Sequence, residues 1–224
     1  KPFDDGELRA RLQVGQRVLE LQKELNSVRD ILIYERGIIE EVVLRMRASK
    51  RFSPENLRQL QSAVDRTAGD LLLAAYRSDN THQLLVGDFT GHGLTAAIGG
   101  PIVSDIFYSM SSKGNSMEDI ITEINRQLCE KLPTNLFFAG VFLELDPPRR
   151  LLRVWNCGMP DVLIYRAASL AQTLTSGAPA LGISALITAT EECVDVQRGD
   201  RIYAYSDGII ESCNHDGEEF GEAR

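Results

Sequence analysis

The chain is 224 residues long, with a formal net charge of −8, 43% hydrophobic and 25% charged residues, and a mean hydropathy of −0.14. That is enough chain to bury a sizeable core in one large domain, or in a medium domain with an appendage. The acidic balance argues against a nucleic-acid surface, and no apolar run approaches the roughly 18 residues of a membrane helix, so a cytoplasmic protein with neither nucleic-acid nor membrane partners is expected.

Residues 1–11, Lys-Pro-Phe-Asp-Asp-Gly-Glu-Leu-Arg-Ala-Arg, resemble the end of a response-regulator receiver domain, whose last strand finishes in Lys-Pro-Phe and whose final helix opens with Glu-Leu-x-Ala. The resemblance implies that Lys1 contacts a phosphorylated aspartate, that the Lys1–Pro2 bond is cis, and that the chain is the output half of a longer protein. Residues 12–50 then read as a coiled-coil linker helix. Val14, Val18, Leu21, Leu25, Val28, Leu32, Ile39, Val42 and Met46 alternate spacings of four and three, with Glu35 out of place in the series. A 3.5-residue period favours a left-handed two-stranded coil, and so a homodimer through residues 14–46; one long helix packed on its own domain is the alternative. Glu35 and Gly37 mark a weak point where the coil could bend or splay.

Phe52-Ser53-Pro54 breaks that helix and opens a globular domain expected over residues 51–224. Leu57–Val64 is ambiguous between a short helix and a strand. Asp70–Arg77 and Gln83–Asp88 read as a hairpin around Ser78-Asp79-Asn80-Thr81. Centring the turn on residues 79 and 80 puts Asp70 opposite Phe89 and within one residue of Asp88, a placement that costs repulsion unless a cation lies between the carboxylates. A small-residue helix follows from Leu94 to about Ser112, interrupted by Gly99-Gly100-Pro101. A second, N-capped by Ser116 with Asp119 three residues on, reaches about Lys131. Strand-like runs come last: Phe137–Leu145, Leu151–Cys157, Val162–Arg166, Cys193–Val196 and Arg201–Tyr205. Strands, two helices and more strands suggest a layered α+β domain rather than alternating βαβ units.

Within this order, Gly87-Asp88-Phe89-Thr90-Gly91-His92-Gly93 stands out as strand, tight loop and helix start, with glycines that let backbone come close to a ligand. Asp70, Asp88 and Asp207 each end or begin an expected strand beside Gly69, Gly87 or Gly208. Asp next to Gly is also ordinary turn chemistry. Cys129, Cys157, Cys193 and Cys213 form no CxxC, and His82, His92 and His215 are scattered, so oxygen ligands and a hard cation such as Mg²⁺ or Mn²⁺ are the candidates. Two such ions can activate a water for in-line attack on a phosphoryl group. The helix from Leu94 would aim its N-terminus at the site.

Together these residues resemble the PP2C-like (PPM) metal-dependent phosphatases, specifically the bacterial SpoIIE and RsbU branch. The matching pieces, in order, are Ala68-Gly69-Asp70, Gly87–Gly93 with Ala96-Ala97, Phe137-Phe138-Ala139-Gly140-Val141, Asn156-Cys157-Gly158, Gly177-Ala178-Pro179 with Leu181-Gly182, Gly199-Asp200, and Ser206-Asp207-Gly208 followed by Glu211, Asn214, Gly217 and Phe220-Gly221. The resemblance implies an antiparallel β-sandwich flanked by helices and hydrolysis of phosphoserine or phosphothreonine on a protein, often one engaged in sigma-factor control. It implies that Asp70 binds one of two Mn²⁺ or Mg²⁺ ions, Asp88 bridges both, the Phe89 carbonyl completes a shell, Asp207 binds the second ion, and a metal-bound water is the nucleophile. Three places depart from the family: Leu73 stands where a second Asp often follows the first, Met159 stands where a His is usual, and the chain stops at Arg224 before the final strand bearing Asp-Asp-x-Thr.

Two functional readings follow, beside a purely structural one, a coiled-coil dimerisation protein, which explains the first 50 residues and leaves the aspartates idle. The first is a receiver-controlled protein phosphatase acting on a phosphoprotein or sigma-factor-related protein. The second is a degenerate RssB-type adaptor that binds a stress sigma factor for proteolysis. Retention of the three aspartates favours the enzyme, because an adaptor has no physical need for clustered carboxylates.

Overall fold

The computed structural model describes residues 5–47, 52–60, 69–91, 93–215 and 217–221. The expected cis Lys1–Pro2 bond, the contact of Lys1, the stretch Leu57–Val64 beyond residue 60, and His92 lie outside the described residues. The chain divides into two compact units, Lys1–Val42 and Val43–Arg224.

The first unit is helical. Helix α1, Asp5–Arg47, contains no proline and runs unbroken through Glu35 and Gly37. Its start at Asp5 absorbs most of the receiver-like segment. The expected seam residues Val14, Val18, Leu21, Leu25, Val28, Leu32 and Ile39 are all exposed, as are Leu12, Leu19, Ile31 and Ile33 off the seam. Surface pairs Arg11–Glu7 and Arg36–Glu40, each 2.6 Å apart at i,i+4 spacing, add about 0.3–0.5 kcal/mol each.

The second unit is an α+β sandwich. Strands β1 (Leu71–Tyr76), β2 (His82–Phe89), β3 (Phe138–Asp146), β4 (Leu151–Cys157) and β7 (Glu192–Asp195) form a five-stranded antiparallel sheet in the order β1-β2-β3-β4-β7. Strands β5 (Val162–Arg166), β6 (Ser169–Leu174) and β8 (Arg201–Tyr203) form a second antiparallel sheet, ordered β6-β5-β8. Helices α2 (Leu94–Ala97), α3 (Gly100–Ser112) and α4 (Met117–Lys131) connect β2 to β3, and α5 (Asp207–Ile210) follows β8.

Side chains alternate along a strand, so a sheet covered on both faces must be apolar on both. Leu85, Phe89, Phe138, Phe142 and Trp155 point into a core shared with Val103 and Phe107 of α3 and Ile120, Ile121, Ile124 and Leu128 of α4. The intervening Leu84, Val141, Leu143, Leu152 and Val154 form a second core with Val162, Ile164 and Leu174 of the smaller sheet. Ser116 caps α4 as expected, its Oγ accepting a hydrogen bond from the Asp119 N–H at 3.2 Å.

At one end of the large sheet lies a row of polar residues in register, Gln83 opposite Glu144 opposite Arg153. Glu144 is buried, and its carboxylate accepts from Arg77 at 3.0 Å and Gln83 at 2.7 Å, with Arg153 at 3.5 Å. A buried carboxylate without such partners would be strongly destabilising.

Candidate active site

The opposite end of that sheet holds the candidate residues. The β1–β2 hairpin differs from expectation by one residue. Arg77 N–H bonds to the Thr81 carbonyl at 2.9 Å and Asn80 N–H to the Arg77 carbonyl at 3.0 Å, with Asn80 at φ 66°. This is a three-residue loop closed by a left-handed residue, centred on Asp79. Leu71 therefore pairs with Gly87, and the next position along, Asp70, comes level with Asp88 rather than Phe89. A one-residue change of register exchanges the two faces of a strand, so this register, unlike the expected one, directs the two carboxylates to one face.

Backbone closeness is built in on both sides. A Cβ at Gly69 would strike Asp88 Oδ1 and come within 2.8 Å of the Phe89 carbonyl oxygen, so only glycine lets the Gly69-Asp70 corner lie against those two oxygens. The Phe89 ring is buried against Phe138, centroids 4.7 Å apart, and against Gly99, where a Cβ would collide with the ring. Thr90 then clamps the strand end to Phe137: its N–H bonds to the Phe137 carbonyl at 3.0 Å and its Oγ1 accepts from the Phe137 N–H at 3.1 Å. This clamp was not anticipated. Gly91 and Gly93 follow at φ 90° and 70°, which turn the chain sharply into α2.

Asp207 opens α5 four residues after Tyr203, the end of β8, and is exposed, while Asp70 and Asp88 are half-buried. Asp88 feels the other two carboxylates. The Asp88 carboxyl is raised from the ordinary 3.8 to about 7, first by burial and then by the negative charges of Asp70 and Asp207. Among the described residues no three Asp, Glu, His or Cys side chains are drawn into a closed ligand cage. The residues nevertheless fit a hard divalent cation: the donors are oxygens, the repulsion on Asp88 is what a cation would relieve, and Gly69 sets no side chain of its own against two of those oxygens. The expected help from a helix N-terminus is small, since α2 is a single turn of four residues.

Two of the departures, Leu73 and Met159, have structural explanations. Leu73 is buried in the helix-side core, so no carboxylate could stand there without repacking. Met159 is buried in the inter-sheet core, below a turn in which Asn156 accepts from the Met159 N–H at 3.0 Å and donates to the Pro160 carbonyl at 2.9 Å. Burial pushes the neighbouring Cys157 thiol up to about 12, which makes it inert at neutral pH.

The model of the Stage II sporulation protein E (SpoIIE) family matches residues 78–224, well over half of the chain. The chain belongs to the SpoIIE family. Asp88, Phe89 and Asp207 lie inside the matched region; Gly69 and Asp70 lie just before it. Among known proteins it is similar to the phosphoserine phosphatase RsbP of Bacillus subtilis (strain 168), 20% identical over 154 residues, which covers 67% of this chain and 38% of RsbP. The chain thus spans well under half the length of that relative. Its fold is that of the SiaA-PP2C domain of Pseudomonas aeruginosa, with a TM-score of 0.69 at 18% identity over 84% of this chain and 78% of that one. The catalytic domain of the serine threonine protein phosphatase PstP, solved in complex with two manganese ions, matches with a TM-score of 0.55 at 12% identity over 71% and 79% of the two chains. These likenesses establish the antiparallel sandwich with flanking helices as PP2C-like.

Proposed function

We propose that this SpoIIE-family chain is a metal-dependent protein serine/threonine phosphatase. The observation that carries the reading is the half-buried Asp88 at the end of β2, level with Asp70 and within the electrostatic reach of Asp207. Asp70, Asp88, the Phe89 carbonyl and Asp207 would hold two Mn²⁺ or Mg²⁺ ions, as the manganese-bound PstP domain makes reasonable. When bound, such ions supply Lewis-acid activation of water and neutralise phosphoryl charge. Asp88 would then stay ionised, the rigid β1–β2 register would fix the two aspartates relative to each other, and the Thr90–Phe137 clamp would hold the Phe89 carbonyl in place.

We further place the domain as the output half of a cytoplasmic response regulator, dimeric through residues 14–46, with the coil relaying phosphorylation of its receiver to an enzyme that acts on a phosphoprotein in sigma-factor control. The kinship with RsbP and the seam of α1 support this reading. Burial of Leu73 and Met159 away from the site favours, as the second reading, the RssB-type adaptor. The deciding experiment is Mn²⁺-dependent hydrolysis of a phosphoserine peptide by the full protein. Turnover that falls at least a hundredfold in Asp88→Asn establishes the phosphatase; a folded protein that neither binds Mn²⁺ nor turns over supports the adaptor.

A further inference from the structure

At the end of the large sheet away from Asp88, a cleft of about 200 Å³ opens between Arg77, Glu144, Arg153 and Trp155 and the first residues of α4. Glu144 lies five residues along β3 from Ala139, the register partner of Asp88, a separation of about 17 Å. One bridging water takes about 30 Å³, and pockets for drug-sized ligands run from roughly 300 to 1,000 Å³. The cleft therefore has room for more than a bridging water and for less than a drug-sized ligand.

Its hydrogen-bond donors are under-used. Trp155 is 2% exposed, yet its indole N–H has no partner, where a buried indole N–H ordinarily finds one. Arg153 stands 3.5 Å from Glu144 and 3.3 Å from Glu191, longer than the roughly 2.7–2.9 Å of a charge-assisted hydrogen bond. Arg77, by contrast, is committed to the fold at 3.0 Å from Glu144 and 2.8 Å from Asp79. Helix α4 adds its own donors. Ser116 Oγ accepts from the Asp119 N–H, which leaves the N–H groups of Met117 and Glu118 without an intrahelical partner at the positive end of a fifteen-residue helix. An indole, a loosely held guanidinium and a helix start thus border one space, and together they suit an oxyanion.

Carboxylates border it too. Glu118 and Glu191 line the cleft and are exposed, whereas Glu144 is taken up by Arg77 and Gln83. A plain anion would meet two negative charges it could not satisfy. A molecule carrying a carboxylate and an ammonium answers both sets of groups. We infer that the cleft binds a small zwitterion of the free amino-acid kind, its carboxylate on Arg153, the Trp155 N–H and the start of α4, and its ammonium on Glu191 and Glu118. The inference stands apart from the phosphatase reading, because the cleft shares no residue with the aspartate site.

Trp155 is the only tryptophan of the chain, so intrinsic fluorescence reports on the cleft without background. The test titrates the 224-residue chain with each of the common L-amino acids, up to about 10 mM. At least one should change the fluorescence saturably and raise the thermal midpoint. Its N-acetyl derivative, which lacks the ammonium, and acetate should each bind at least about tenfold more weakly. Arg153→Gln and Glu191→Gln should each weaken binding by about tenfold or more, with circular dichroism confirming the fold. Trp155→Phe, followed by thermal midpoint, keeps an aromatic ring, loses the N–H and should weaken binding about fivefold. If Arg153→Gln does not fold, the exposed Glu191→Gln decides. A cleft filled by water only gives no saturable change with any amino acid and overturns the proposal. Equal binding of an amino acid and its N-acetyl derivative, or undiminished binding in the variants, overturns it as well.

Discussion

Asp88, whatever it holds, burdens the fold. Its carboxyl rises from 3.8 to about 7 on folding, so between those values the folded chain binds a proton that the unfolded chain has released. The metal-free protein should therefore gain stability as pH falls from 8 through 7 toward 4, the reverse of the usual salt-bridged aspartate. Asp88→Asn removes the charge that burial and Asp70 oppose. In excess EDTA its urea midpoint should exceed that of the wild type at pH 8 and approach it at pH 5, while added Mn²⁺ stabilises the wild type alone. A difference between the two proteins that does not change with pH would show that Asp88 is not held beside uncompensated charge. The candidate carboxylates stood out in the sequence because each lies beside a glycine; Asp70 and Asp88 flank the β1–β2 hairpin as expected, whereas Asp207 opens α5 and does not end a strand. The Thr90–Phe137 clamp was not legible, since a threonine after a strand carries no signal of a partner almost fifty residues away.

At the scale of elements, legibility followed local chemistry. Helix α4 was readable from its Ser116 cap with Asp119 three residues on, and β4 and β5 as strand-like runs. Strand β6 was missed. Its turn uses Ala167 and Ala168 at φ 49° and 65°, a conformation that normally announces itself with Asn or Gly, and five of its six residues are exposed. The register error at Asp79 arose because a loop's parity is set by a left-handed residue, here Asn80, and not by composition. The same hairpin places Arg77 where it meets the buried Glu144. Arg77→Ala should cost about 2–3 kcal/mol in urea unfolding, less than a fully orphaned buried ion would, because Gln83 and Arg153 remain. A loss under about 0.5 kcal/mol would mean the network contributes nothing beyond a surface ion pair.

For the whole molecule, the question is what α1 does with its apolar seam. A single 43-residue helix with Val14, Leu21, Leu25, Val28 and Leu32 all in water gains nothing from propensity that offsets the exposure, because isolated helices draw most of their stability from packing. A second copy of the helix would cover the seam with the same residues, and the 3.5-residue spacing is what a two-stranded coil requires. Glu35 falls on that seam, where pairing would bring two carboxylates together at the coil axis. Glu35→Leu should therefore tighten association by at least about tenfold, from the burial of an apolar side chain and the loss of a like-charge contact. Leu25→Glu should loosen it by a similar factor, since it adds the same fault one turn from Val28. Sedimentation velocity over a micromolar concentration range reads both. Opposite shifts of the two variants fit a coil with a deliberately weak point, one that a small upstream change in α1 could open or close. Unchanged association in both would leave the seam without a partner helix, and the relay through the coil would fall with it.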